Sequence, residues 1–256
     1  MAPVALGWER DPSQVGTEGL LGMAVGGEPG FKMVVFDFYK ERLDDFKQTL
    51  QREAGSMSWV IGGRGTGKSE VLAHLFRVSV DESPTNPRLP LYISITDKTA
   101  REAYQDARIA NGKGRDENLD SGSVTMGLFN YLCSRSLLEA LVYLRSMDEG
   151  KGRGSQGFSL LRKCLENDDF YNDLTGDEGV LDGTDFSLLN FMKLVRKNPM
   201  AREAFRLAII CDDFDKLSVD AAQTFFSNAQ NDFQTLSGTH KVVIVSSVTK
   251  EFVNAA

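Results

Sequence analysis

Cysteine and histidine are scarce in this chain: three cysteines, Cys133, Cys164 and Cys211, and two histidines, His74 and His240, among 256 residues. The cysteines are odd in number, far apart and without a C-x-x-C pair, and each stands in an apolar or helical context. They are expected to be reduced core thiols rather than disulfides or metal ligands. Two histidines are too few to suggest a structural zinc centre. No apolar run approaches the roughly 18 residues that a membrane-spanning helix needs. Residues 1–30 also lack the basic start and apolar core of a secretory signal. A cytoplasmic protein without a membrane partner is therefore expected. Positive charge is in deficit as well, with 29 Lys and Arg against 36 Asp and Glu for a net charge of −7. This argues against a surface that coats nucleic acid broadly, though not against a local basic patch.

What remains is ordinary globular composition, 41% hydrophobic and 25% charged, long enough for one large α/β core with a helical elaboration. The most informative stretch is Gly62, Gly63, Arg64, Gly65, Thr66, Gly67, Lys68, Ser69, reading G-G-R-G-T-G-K-S. It follows an apolar run, Met57 to Ile61, and precedes an amphipathic one, Glu70 to about Val80, with Val71, Leu72, Leu75, Phe76 and Val78 at helical spacing. A strand, a glycine loop and a helix in that order make a phosphate-binding loop. Glycines at 62, 65 and 67 open backbone conformations that aim consecutive N–H groups at a phosphate. The start of the helix near Lys68 contributes its positive dipole end. Lys68 would reach the β- and γ-phosphates, and the Ser69 hydroxyl would ligate Mg²⁺. The chain is thus expected to bind a nucleoside triphosphate.

Residues 1–30, rich in Gly and Pro and without a period, read as an irregular arm, and residues 31–256 as the core domain. Phe36, Tyr39, Leu43, Phe46 and Leu50 describe one apolar stripe on a helix ending before Gly55. Leu89 to Thr96 reads as a buried second strand. A region of about a hundred residues follows, far longer than a crossover requires. Its helical patterns fall at Thr99 to Ala110, Ser123 to Arg145, Phe158 to Glu166 and Phe186 to Arg196. An acidic stretch containing Asp168, Asp169, Asp173, Asp177, Glu178 and Asp182 separates the last two. The whole, about 99–205, is expected to be a helical insertion. Arg206 to Cys211 and Lys241 to Val245 are further apolar strands, with a helix between them at Val219 to Leu236. Strands alternating with helices imply an α/β fold with a mainly parallel sheet covered on both faces.

Asp212 and Asp213 follow the third strand at its carboxyl end, the edge of a parallel sheet where ligands bind. Asp212 is assigned to the Mg²⁺ shell, mostly through water, and Asp213 to polarising an attacking water. Asp215 reads as a helix cap or solvent-facing residue. Ser246 and Ser247 end the fourth strand at the level of a γ-phosphate or its attacking water, while a plain strand-ending turn is the competing reading. Thr96 and Asp97 are weaker candidates for orienting Asp213.

The segments V-I-G-G-R-G-T-G-K-S and I-I-C-D-D-F-D-K-L, in this order and followed by an apolar strand ending in Ser, resemble the AAA+ and STAND classes of P-loop ATPases. They are most similar to the branch of replication-origin initiators, transposon-encoded regulators and defence ATPases. The resemblance covers about Phe31 to Ser247, with some thirty specific residues. It implies a three-layer α/β/α fold with the strand order 2-3-4-1, Mg²⁺-dependent ATP hydrolysis, a γ-phosphate sensor at Ser246 or Ser247, and rings or filaments in which a neighbour donates an arginine. The chain departs from that pattern in three ways. Asp213 stands where Glu is usual, the insertion is large, and the sequence stops nine residues after Ser247. The lid domain and arginine-finger region are therefore expected from a longer protein or from a partner.

A GTPase is disfavoured, because no D-x-x-G or N-K-x-D follows at the required places. A small-molecule kinase remains open, as does a nucleotide-gated scaffold with little turnover. Two G-K-G-R loops, residues 112–115 and 150–153, present Lys113, Arg115, Lys151 and Arg153 and could grip nucleic-acid phosphates. Solvated loops at helix ends are the plainer reading of the same residues.

Overall fold

The computed structural model describes residues 56–63, 65–81, 88–94, 98–110, 112, 121–147, 158–176, 179–181, 185–212 and 242–249, together with Thr17, Leu21, Gln48 and Val253. The chain is mostly helical around a small parallel sheet. Four apolar runs form the strands β1 (Ser56–Ile61), β2 (Leu89–Ser94), β3 (Leu207–Asp212) and β4 (Val242–Val248). They lie in the order β1-β4-β3-β2, which from the other edge reads 2-3-4-1 as expected from the sequence, and every pairing is parallel. All six residues of β3 are buried, and so are the first five of β2. Strands covered on both faces need apolar side chains at every position, which is why these runs are continuous rather than alternating.

Helix α1 (Lys68–Asp81) packs against all four strands. Val71, Leu72, Leu75, Phe76, Ser79 and Val80 are buried at three- and four-residue spacing and make one stripe, which the buried Ala73 widens. Six helices lie between β2 and β3 among the described residues: α2 (Lys98–Ala110), α3 (Ser121–Ser146), α4 (Ser159–Leu165), α5 (Asp168–Thr175), α6 (Leu188–Lys197) and α7 (Pro199–Ala204). The 26-residue α3 carries the stripe Leu128, Phe129, Cys133, Leu137, Ala140, Leu141, Leu144 and packs on β2, α2, α4 and α6. Phe170, Phe186, Phe191 and Phe205 form a chain of edge and tilted ring contacts with centroids 5.6–6.3 Å apart, joining α5, α6 and the C-cap of α7. Edge-to-face stacking adds to the area these rings bury.

Two helices were not anticipated. The acidic stretch is not simply a separator, because Asp168 and Asp169 open α5 behind an Asn167 cap whose side chain accepts from the Phe170 N–H at 2.9 Å. Negative charge in a first turn favours the helix dipole, and Phe170 and Leu174 give this short helix a buried face. Helix α7 begins at Pro199 behind the Asn198 cap. Arg145, near the end of α3, stacks over the Tyr171 ring at 3.9 Å and pairs with Asp168, tying α5 to the long helix.

The strands also run further than their apolar cores. Asp212 is the last residue of β3, and β4 continues through Ser246 and Ser247 to Val248. Backbone pairing with β1 carries the ladder past the point where side-chain hydropathy falls off: Trp59 lies opposite Ser246, Val60 opposite Ser247 and Ile61 opposite Val248. Of the sequence-based expectations, the arm apart from Thr17 and Leu21 lies outside the described residues, as does the helix before β1 apart from Gln48. So do the helix at 219–236 and Thr96, Asp97 and Asp215.

Candidate functional site

The carboxyl ends of the strands gather the residues that the sequence marked. β1 runs straight into the glycine loop, where the Gly62 N–H donates to the carbonyl of Val248, the last residue of β4, at 3.2 Å. Gly65 and Gly67 adopt φ values of +73° and +82°, in the left-handed region that favours glycine. The Thr66 hydroxyl donates to the Gly63 carbonyl at 2.8 Å and closes the turn. The ladder of α1 starts at once, the Val71 N–H donating to the Gly67 carbonyl at 3.0 Å. The Lys68 ammonium folds back along the loop and donates to the carbonyls of Gly62 at 3.2 Å and Gly63 at 3.1 Å. It is half-buried, whereas Ser69 beside it is exposed. A cation and a helix start thus share one concave turn, the arrangement that suits an anion.

Asp212 comes to the same end of the sheet. Cys211 lies opposite Ser246, so Asp212 stands one residue further along β3, level with Ser247 and one strand away from β1. Its side chain is 5% exposed, and its Oδ2 accepts a hydrogen bond from Tyr92 Oη at 2.8 Å. A carboxylate taken out of water needs such partners. Helix α1, which carries Lys68 and Ser69, packs on β3.

Among the described residues no group of three or more His, Cys, Asp or Glu is placed to hold a metal by itself. The donor set present is of a different kind: one hydroxyl and one carboxylate, both hard oxygens. That suits Mg²⁺, which keeps several waters and takes one or two carboxylates together with substrate phosphates. Ser246 and Ser247 stand within β4, level with Trp59 and Val60 of β1, so they sit slightly below the loop rather than on a turn above it. Arg64 and Asp213 lie outside the described residues, as do residues 113–115 and 150–153. Gly112 is described, and its role is structural. It ends α2 with φ of +71°, its N–H donating to the Ile109 carbonyl at 3.0 Å, in the manner of a helix C-cap.

Sequence reasoning passed over Tyr92, whose hydroxyl reaches Asp212, and over Thr17 and Ser136, which meet the Tyr92 backbone. The Thr17 hydroxyl accepts from the Tyr92 N–H at 3.2 Å and donates to the Tyr92 carbonyl at 3.3 Å, and Ser136 Oγ of α3 donates to that carbonyl at 3.3 Å. Only the polar character of Thr17 in an otherwise unpatterned segment hinted at this. The three cysteines are free and buried, as expected. Burial pushes the Cys164 thiol up to about 11. It also raises Cys133 well above the usual thiol range, with neighbouring Cys211 adding to the effect. No described helix is long and apolar enough to cross a membrane. No protein-family model matches the chain, and no curated protein or solved structure matches it either.

Proposed function

We propose that this chain binds ATP with Mg²⁺ and hydrolyses it, as a cytoplasmic P-loop ATPase of three-layer α/β/α architecture and AAA+ or STAND type. Hydrolysis would drive conformational change or self-assembly. The observation that carries the reading is the β1–loop–α1 unit, with its left-handed glycines and folded-back Lys68, at the same sheet end as Asp212.

In this reading the loop N–H groups and Lys68 hold the β- and γ-phosphates, and Ser69 and Asp212 would hold Mg²⁺, Asp212 mostly through water. Mg²⁺ held there would supply positive charge to offset the negative charge that develops as the terminal phosphate is transferred. Asp213 orients a water and accepts its proton as the water oxygen bonds to the γ-phosphorus and the β–γ bridging oxygen departs with ADP. Ser246 and Ser247 sense the γ-phosphate. An arginine from a neighbouring copy, and nucleic acid at residues 112–115 and 150–153, complete the proposed partners.

A slow or silent nucleotide-gated scaffold is the second reading, favoured by Asp213, one methylene shorter than the Glu usual at that place. The two part on mutation. For an ATPase, Lys68→Ala removes ATP binding and turnover together, while Asp213→Asn keeps binding and lowers turnover by about a hundredfold or more. Loss through Lys68→Ala alone, with Asp213→Asn silent, supports the scaffold. No ATP binding by the unaltered protein overturns both.

A further inference from the structure

We propose that Tyr92 is the positioning residue for the Asp212 carboxylate, and through it for the Mg²⁺ assigned to that carboxylate; the inference rests on the ATP-site reading above. In the parallel register Tyr92 lies opposite Ile210 and Ser94 opposite Asp212. Side chains two residues apart share a sheet face, so Tyr92 and Asp212 are diagonal neighbours, a span that an aromatic side chain can cross. The phenol does so, its Oη donating to Asp212 Oδ2 at 2.8 Å with both residues 5% exposed. One oxygen of the carboxylate is thereby engaged from the β2 side, which fixes how the group can turn. Ligating carboxylates that are oriented by a neighbouring donor hold metals more tightly than ones left to rotate.

Tyr92 is itself held in place. Thr17 Oγ1 grips both its backbone N–H and its carbonyl, and Ser136 Oγ meets the same carbonyl. The Thr17 N–H in turn donates to Glu139 Oε2 of α3 at 3.1 Å. Thr17 and the long helix α3, distant in sequence, therefore converge on the residue that orients Asp212. A plain core tyrosine needs none of this.

The test uses the full chain and two readouts: ATP affinity in excess EDTA, and Mn²⁺ affinity by electron paramagnetic resonance in the presence of ADP. Tyr92→Phe, which removes only the hydroxyl, is expected to leave metal-free ATP affinity within about twofold and to weaken Mn²⁺ binding by about tenfold or more. Because Tyr92 acts through Asp212, adding Tyr92→Phe to Asp212→Asn should weaken Mn²⁺ no further than Asp212→Asn alone. Unchanged Mn²⁺ affinity in Tyr92→Phe overturns the proposal, and so does full additivity in the double variant. Loss of metal-free ATP binding along with Mn²⁺ also overturns it, by making Tyr92 a core residue only. Failure of the unaltered protein to bind ATP is a separate result, which ends the ATP-site reading and this inference together.

Discussion

At Gly65 the backbone takes a φ of +73° with no atom within 4 Å of where a Cβ would stand. A methyl there meets no clash, so its cost is conformational alone: about 1–2 kcal/mol for an L-residue held in the left-handed region. Gly65→Ala is expected to lower Tm by about 2–8 °C, read by calorimetry, and an unchanged Tm would show that the turn had relaxed. Gly62 is constrained differently, since a Cβ would lie 2.5 Å from Thr66 Oγ1, the hydroxyl that closes the turn on Gly63. The spacing of glycines, Lys68 and Ser69 was legible from the sequence because each type has one conformational or chemical use in such a loop. Tyr92 was not. In L-P-L-Y-I-S-I-T an aromatic among aliphatics reads as filling, and only the parallel register of β2 on β3 aims its hydroxyl at Asp212.

Elements with a strong period were read to within a residue or two, the seven-residue α4 included, while α5 and α7 were missed. Helix α7 has six residues, too few for a stripe, and its start depends on one side chain. Asn198 Oδ1 accepts from the N–H groups of Met200 at 3.0 Å and Ala201 at 3.1 Å, and Pro199 follows at the first helical place, where its missing N–H does no harm. Asn198→Ala is expected to remove about 1 kcal/mol of stability. That would appear as a lower urea midpoint with unchanged slope; an unmoved midpoint would mean the cap is dispensable. The end of β4 was hidden for another reason. Hydropathy falls at Ser246, but strand pairing is a backbone property, and β1 carries it onward to Val248 after the pairing with β3 has ended at Ser246.

For the molecule as a whole, the α/β class was readable, because buried parallel strands and their crossovers leave continuous apolar runs, whereas the strand order came only with the family resemblance. How the helices between β2 and β3 pack was not readable, since ring-to-ring contacts such as Phe191 with Phe205 join residues that no periodicity links. One property of the whole fold follows from its core. Cys133, Cys164 and Cys211 are all buried, and the raised Cys133 and Cys164 thiols stay protonated at neutral pH. A thiol reagent at pH 8 is expected to label none of them in the native protein and all three in urea, and prompt labelling of the native form would contradict this packing. The linked pH effect has a definite sign. A thiol at about 11 in the fold and 9.0 when unfolded holds its proton better in the native state, so the stability it contributes is present below pH 9 and is lost as pH rises towards 11.

The bond from the Gly62 N–H to the Val248 carbonyl has a consequence in time. Of the four strands β1 is synthesised first, yet its strand partner β4 begins at Val242, and β2 waits for β3 at Leu207. Such distant pairings close slowly, because chain entropy must be lost before the contacts return anything. The glycine loop is synthesised long before the Val248 carbonyl that anchors it. The part of the molecule first recognisable in the sequence is thus among the last to take its final shape.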